Sequence, residues 1–148
     1  MRLQLQEIFA TDADLSRMLE LIGSPSPDVE IEVCQFEAEG VFVKGLAKTP
    51  LGKLGFETRW TARLEAPGLV CALTHLRVGQ SFPIPFLKSM VLEQIRDLLK
   101  PWPGVDVVDD EIQIDYFRGL KSYGLDLDCA LTSLEMAEGE CRLGFTRP

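Results

Sequence analysis

The chain has 148 residues, of which 46% are apolar, and a formal net charge of −8. Such a length is typical of one domain and buries a core without metal or disulfide, so we expect a single domain over residues 1–148. The apolar fraction excludes a disordered chain, and no apolar run reaches the ~20 residues of a membrane span. The acidic balance argues against a nucleic-acid partner, because phosphate contacts need a dominant basic surface.

The first predicted element is a short amphipathic helix over residues 12–22. Thr11 and Asp14 have the spacing of a capping box, in which each side chain accepts a hydrogen bond from the other residue's backbone N–H. Apolar residues then recur at helical spacing, and the stretch 23–27 contains the glycine and prolines that end a helix. The apolar positions are Leu15, Met18, Leu19 and Ile22.

Alternation of apolar and polar residues predicts about four strands between residues 29 and 78. The clearest is 54–65, where alternation defines one dry and one wet face, because slippage by one residue would invert both. Its predicted dry face carries Leu54, Phe56, Thr58, Trp60, Ala62 and Leu64, and its wet face Gly55, Glu57, Arg59, Thr61, Arg63 and Glu65.

A second helix is predicted from Pro85 to Lys100, with an apolar stripe at Leu87, Val91, Ile95 and Leu98. Alternation then predicts three or four further strands, near residues 105–107, 112–116, 125–131 and 141–145. Strands that are grouped between helices favour an antiparallel meander. The predicted fold class is therefore α+β, a curved antiparallel sheet wrapped on two helices in the order α-β4-α-β3/4.

The motifs that usually carry chemistry are missing from this sequence. It has no phosphate-binding glycine loop, no nucleophile elbow and no zinc-type cysteine pair. We interpret His75 as structural, the acidic run from Asp106 to Asp115 as a solvated hairpin tip, and the four cysteines as buried free thiols. No catalytic residue, metal or cofactor is therefore predicted, and the chain is not expected to be an enzyme.

Charge is distributed unevenly along the chain. Residues 1–40 carry two basic and nine acidic side chains (net −7), residues 41–101 nine and four (net +5), and residues 102–148 four and ten (net −6), which sums to −8. The basic middle third is the region in which an anionic partner would be met.

A candidate ligand groove is predicted between the 54–65 strand and the second helix. Apolar and aromatic side chains dominate ligand pockets, and both elements supply them. The predicted lining is Phe56, Trp60, Phe86, Met90 and Val91. Arg59, Arg63 and Lys53 are predicted to meet an anionic head group at its rim.

Three stretches together resemble one half of the tubular lipid-binding (TULIP) superfamily, most nearly its bacterial single-half members. They are Asp12-Ala13-Asp14-Leu15, the meander at 54–78 with Phe82-Pro83-Ile84-Pro85-Phe86 and the helix to Lys100, and Val105-Asp106-Val107 through to Gly139-Glu140-Cys141-Arg142-Leu143. The resemblance spans most of the chain as a pattern of elements. It implies a long curved sheet that wraps a helix around an apolar groove, and a lipid as the ligand.

The leading hypothesis is non-enzymatic binding of an apolar or amphipathic small molecule, such as a lipid. An alternative is a protein-interaction or scaffold domain, compatible with a homodimer, and a third is an enzyme on a hotdog-like sheet that uses His75 or an acidic residue. Residues 1–7 show neither the apolar core nor the cleavage site of a secretory signal. We expect a soluble cytoplasmic protein if the chain is full length, and a periplasmic or surface protein if a signal has been removed.

Overall fold

Strands account for 62% of the described residues and helices for 19% in a computed structural model of the chain. The structure describes residues 2–3, 5–22, 28–50, 52–65, 67–79, 88–89, 92–93, 96–97, 100 and 103–147. The strands are β1 (Arg2–Leu3), β2 (Glu7–Thr11), β3 (Val29–Glu37), β4 (Gly40–Thr49), β5 (Gly52–Glu65), β6 (Gly68–Val78), β7 (Val105–Val108), β8 (Glu111–Ile114), β9 (Asp126–Leu127), β10 (Ala130–Ala137) and β11 (Glu140–Thr146). The helices with defined bounds are α1 (Asp12–Ile22) and α2 (Tyr116–Ser122).

A six-stranded antiparallel sheet in the order β3-β4-β5-β6-β8-β7 is the larger part of the fold. Its first four strands follow one another along the chain as a meander of long hairpins. A three-stranded antiparallel sheet in the order β10-β11-β2 forms the second layer, and β1 pairs with β9 in parallel. The six-stranded sheet presents one apolar face to the interior, which we call the inner face, and a mostly polar outer face, on which Val70 is nevertheless buried.

The predicted fold class is wrong, because the inner face packs against a second sheet where an α+β wrap on two helices would place helices. The N-terminal segment, for which no strand was predicted, supplies β2, which pairs with β11 from the other end of the chain. A two-residue period in the sequence identifies strands, but it does not determine which distant strands pair. A meander and a pair of packed sheets therefore have the same sequence pattern.

The predicted strand at 112–116 is also corrected, because β8 ends at Ile114 and α2 begins at Tyr116. Asp115 is the N-cap residue of α2, with an extended backbone, and its side chain accepts a hydrogen bond from the Arg118 N–H. This cap satisfies one of the unpaired N–H groups of the first helical turn. Tyr116 and Phe117 are residues that favour strands, but with Asp115 as the N-cap residue they form the first turn of α2.

The first predicted helix is confirmed over Asp12–Ile22. The Thr11 N–H donates to Asp14 Oδ2 at 2.8 Å, and the Asp14 N–H donates to Thr11 Oγ1 at 3.4 Å, which is the predicted capping box. Helix α1 contacts both β2 and β3, the edge strands of the two sheets. It therefore helps to cover two edges that would otherwise expose unpaired backbone groups.

Most of the predicted second helix, including Phe86, Met90 and Val91, lies outside the described residues. The described pairs 88–89, 92–93 and 96–97 are helical, and the Lys100 N–H donates to the Arg96 carbonyl. Leu92 in this segment is buried. Lys88 forms an ion pair with Asp110 in the β7–β8 turn, and the Asp110 carbonyl in turn accepts from the Leu73 N–H. Lys88 is thereby linked through Asp110 to the middle of β6.

Candidate functional site

The inner face is apolar along the full width of the six-stranded sheet. Residues that are directly paired across an antiparallel sheet project to the same side, so the register assigns each side chain to a face. Val41 lies opposite Trp60, and Trp60 lies opposite Leu73, so these three side chains lie on one face across β4, β5 and β6. Leu69 pairs with Ile114, and Ile114 with Val105, which extends it to the far edge. Among the described residues of β5 and β6, this face consists of Leu54, Phe56, Thr58, Trp60, Ala62, Leu64, Leu69, Cys71, Leu73, Leu76 and Val78.

Thr58 is the polar exception on this face of β5 and β6, and its hydroxyl is fully used inside the protein. It is 3% exposed. Its Oγ1 donates to the Val43 carbonyl at 3.2 Å and accepts from the Trp60 indole N–H at 3.0 Å. A buried indole N–H without a partner would be unfavourable, and Thr58 removes that penalty. The inner face around Trp60 is consequently left without an unpaired polar group.

One end of the inner face is closed by the three-stranded sheet. Leu69 of β6 packs in one buried cluster with Leu131, Leu143 and Phe145, all of which are less than 9% exposed. Ile114, Tyr116 and Phe117 pack around this cluster. The three-stranded sheet also contacts β3 and β5, so the two sheets share a core over the half of the inner face that includes the β5–β6 turn, which we call the closed end.

The other end of the inner face forms a second apolar surface, which we call the floor and define as Phe56, Trp60, Leu73, Leu76 and Val78. Leu73 and Leu76 are buried, and the described side chains that pack against them, Trp60 and Val78, come from the same two strands. The described part of the three-stranded sheet makes no contribution to this cluster. The floor is therefore an apolar surface separate from the core at the closed end.

A glycine in β4 allows the Phe56 ring to lie close to the sheet. Gly45 pairs with Phe56, and a Cβ on Gly45 would be 2.9 Å from Phe56 Cζ and 2.2 Å from the Glu30 carbonyl oxygen. Real Cβ atoms do not approach backbone this closely, so only glycine fits. The missing side chain leaves room for the Phe56 ring to pack against β4.

The residues predicted for the groove divide between the two faces of β5. Phe56 and Trp60 lie together on the floor, whereas Arg59 and Arg63 lie on the outer face. Arg59 forms an ion pair with Glu37, and its guanidinium carbon lies 4.9 Å from the centroid of the Phe42 ring. Arg63 forms ion pairs with Glu65 and Glu111. Lys53 is also on the outer face, where it lies opposite Lys48 of the neighbouring strand.

Leu73, Leu76 and Val78 form much of the floor, although none of them was among the residues predicted for the groove. The register shifts between the Arg59–His75 and Trp60–Leu73 pairs, so Thr74 is an extra residue in β6. This β-bulge puts Leu73 and Leu76, three positions apart, on one face. The break in the two-residue period at Thr74 is the signal that could have indicated it.

His75, the residue on which a histidine-based enzyme would depend, is exposed on the outer face. The described residues include no group of three or more His, Cys, Asp or Glu side chains that could hold a metal ion. In the same part of the chain, no helix combines the length and apolar character that a membrane crossing requires. A cleft of about 350 Å³ lies between β10 and the β3–β4 turn, and its lining includes Glu39, Thr61, Leu134 and Met136.

Four hydroxyl and thiol groups near the packed interior have raised pKa values. Burial raises the pKa of Cys71 and of Cys34 from 9.0 to about 11, and for Cys34 the nearby Asp12 carboxylate adds to the effect. Burial also raises the pKa of Tyr116 from 10.0 to about 12, and it raises the pKa of Cys141. These thiols are protonated at neutral pH and therefore weak nucleophiles.

The raised pKa values predict a loss of stability in alkali. A group whose pKa is higher in the folded state stabilises the fold fully below its unfolded pKa, and this contribution is lost as pH rises through its folded pKa. For Cys71 the window runs from pH 9.0 to about 11. Urea denaturation across this range should show a falling free energy of unfolding, with a shallower fall in Cys71→Ala. Parallel pH profiles for the two proteins would contradict the prediction.

Comparison of the chain with protein-family models, with curated proteins and with solved structures finds no match in any of the three.

Proposed function

We propose that the chain binds an apolar or amphipathic small molecule on the floor and catalyses no reaction on it. The observation that supports this most is the satisfied polar pair of Thr58 and Trp60 in the middle of an otherwise apolar surface. A surface without free donors or acceptors selects ligands by shape and apolar area. An acyl chain or a similar lipid-like group fits that chemistry.

Phe56, Trp60 and Val78 of the floor are only partly buried and can contact a ligand, whereas Leu73 and Leu76 are already covered within the protein. Each buried methylene group contributes about 0.8 kcal/mol, so a ligand that places several of them against Phe56, Trp60 and Val78 gains several kcal/mol before its entropic cost. Lys88, which forms an ion pair with Asp110 in the β7–β8 turn, and the buried Leu92 belong to the part of the chain that we propose as the second wall of such a site. The resemblance to tubular lipid-binding proteins indicates the same class of ligand and stays a prediction.

A protein-interaction role is the second candidate, and α1 is the element that favours it. Leu21 is 81% exposed and Met18 is 53% exposed, one helical turn apart. Exposed apolar side chains at this spacing are typical of a helix that contacts a partner. A homodimer through α1 would bury them, and the oligomeric state in solution tests this alternative.

The proposed site is tested by truncating one phenylalanine on each face of the six-stranded sheet, Phe56 in β5 and Phe42 in β4. Phe56→Ala removes a ring from the floor, whereas Phe42→Ala removes the same ring from the outer face. Burying a phenylalanine side chain contributes about 1.5–3 kcal/mol, so Phe56→Ala should weaken binding of a fluorescent fatty acid roughly 10- to 100-fold, and Phe42→Ala less than about twofold.

Trp60 lies on the floor and supplies an independent readout. The Trp102→Phe substitution leaves Trp60 as the tryptophan of the chain. On titration with the fluorescent fatty acid, the emission of Trp60 should shift, and energy transfer from Trp60 to the bound fluorophore should appear. Equal affinities for the Phe56→Ala and Phe42→Ala proteins, both folded by circular dichroism, would place any ligand elsewhere and refute the floor as the site.

A further inference from the structure

The outer face carries a cluster of cations at the end of the sheet that includes the β4–β5 turn. We call Lys44, Lys48, Lys53 and Arg77 the basic patch; all four are exposed. In the register of the sheet, Lys44 lies opposite Glu57, which in turn lies opposite Arg77, and Lys48 lies opposite Lys53. The four cationic side chains therefore project from one face of three adjacent strands. Glu57 lies between these cations, and the edge strand β3 places the exposed Glu30 beside Leu46 on the same face, so four cations face two acids here in a chain whose net charge is −8.

The basic patch differs from the other cations on this face in having no ion-pair partner among the described residues. Arg59 and Arg63 are each held by carboxylates, whereas no ion pair within 4.0 Å involves the patch residues. Lys48 and Lys53 are moreover directly opposite each other. Like charges in that position destabilise a sheet, so this lysine pair does not help the fold, whereas Lys44 and Arg77 each lie opposite Glu57.

A shallow hollow lies inside the patch, with a cation on either side. It has a volume of about 230 Å³ and is lined by Lys44, Gly55, Phe56, Glu57, Arg77 and Gly79. It exists because Gly55 projects no side chain into the row between Lys53 and Glu57, and a Cβ at Gly55 would meet nothing within 4 Å. The lining thus sets a lysine and an arginine against one carboxylate, Glu57, and this excess of positive charge suits a compact anionic group.

We propose that the basic patch docks the protein on a lipid bilayer that carries anionic headgroups, with one headgroup in the hollow at Gly55. Charge complementarity supports this occupant, because the patch is the cationic exception on an acidic molecule and each Lys or Arg near an anionic membrane contributes to attraction. A single-stranded nucleic acid would need exposed aromatic rings for stacking, and Phe42, the aromatic residue on this face of the described strands, is covered by Arg59.

Membrane docking through the basic patch is independent of ligand binding on the floor, because it involves the opposite face of the sheet and depends on charge. Either can fail without the other: lipid extraction from the purified protein reports on the floor, and vesicle binding reports on the patch. If both hold, the protein contacts a membrane with one face of β4–β6 and binds an apolar molecule with the other.

The test is co-sedimentation with vesicles of phosphatidylcholine alone and of phosphatidylcholine mixed with phosphatidylserine. Wild-type protein should bind the anionic vesicles preferentially, and binding should fall as salt shortens the Debye length from about 30 Å at 0.01 M to about 8 Å at 0.15 M. Each cation removed should lower the partition coefficient about fivefold, so Lys48→Gln with Lys53→Gln should lower it roughly 25-fold.

Two further proteins separate the patch from net charge and from folding. Lys121→Gln with Arg147→Gln removes the same charge from exposed positions in α2 and after β11, and should bind like wild type. Gly55→Thr fills the hollow without strain and suits a strand, so it should weaken vesicle binding while the urea midpoint stays level or rises. Equal binding to both vesicle types, equal loss in the two double variants, or binding to heparin or RNA but not to anionic vesicles would each overturn the proposal.

Discussion

Phe145→Ala should lower the free energy of unfolding by about 3–5 kcal/mol, the range for removing a fully packed aromatic side chain. Phe145 is 7% exposed, and it lies in the cluster through which β11 contacts Leu69 of the six-stranded sheet. Removing the ring loses its transfer free energy and leaves a cavity between two sheets that cannot readily move together. Urea denaturation followed by circular dichroism measures the loss directly.

Phe9→Ala is the matched control in the same three-stranded sheet. Phe9 pairs with Arg142 on the opposite face, is 47% exposed, and lies beneath the Arg142 guanidinium at 5.0 Å. Its truncation should lower stability by about 1 kcal/mol or less, because exposed aromatic and cation–π contacts are weak. Similar losses for the two substitutions would contradict the packing of the three-stranded sheet on the inner face.

Asp12→Ala should lower the free energy of unfolding by about 1.5–3 kcal/mol, the range for a hydrogen bond to a charged group. Asp12 Oδ1 accepts from the Phe36 N–H at 2.7 Å, which satisfies a backbone group at the end of the edge strand β3. The Asp12 N–H donates to the Gly139 carbonyl, and the Gly139 N–H donates to the Phe36 carbonyl. Asp12 therefore joins α1, β3 and the β10–β11 turn at one point.

Asp12→Asn distinguishes the loss of this acceptor from a general effect of the helix terminus. Asparagine keeps a carbonyl oxygen for the Phe36 N–H but not the charge, so its stability should lie between those of wild type and Asp12→Ala. Hydrogen exchange at the Phe36 amide should accelerate in Asp12→Ala more than in Asp12→Asn. An unchanged exchange rate in both proteins would show that the contact does not stabilise the junction.

Local features of the fold were predictable wherever one short stretch determines the outcome. The Thr11–Asp14 capping box set the start of α1, and alternation in β5 assigned Phe56 to one face and Arg59 to the other. The same alternation already separates these two side chains, so the prediction that Arg59 and Arg63 line the rim of a groove containing Phe56 conflicts with the face assignment. Arg59 instead pairs with Glu37 on the outer face.

The larger architecture was not predictable, because it depends on contacts between distant segments. Glu7 in β2 is paired with Gly144 in β11, and no local pattern encodes that contact. The β6 part of the floor was missed for a related reason: the bulge at Thr74 brings Leu73 and Leu76 onto one face only when β6 is aligned with β5. Register is a property of two strands together, so single-strand periodicity does not determine it.

Native mass spectrometry of the purified protein, paired with organic extraction, tests the central claim most directly. If the floor binds an apolar or amphipathic molecule, a fraction of the protein should carry an additional mass of several hundred daltons. That mass should be lost on denaturation and reduced in Phe56→Ala but not in Phe42→Ala. A ligand-free spectrum for the wild-type protein, unchanged after incubation with long-chain fatty acids and phospholipids, would contradict the account.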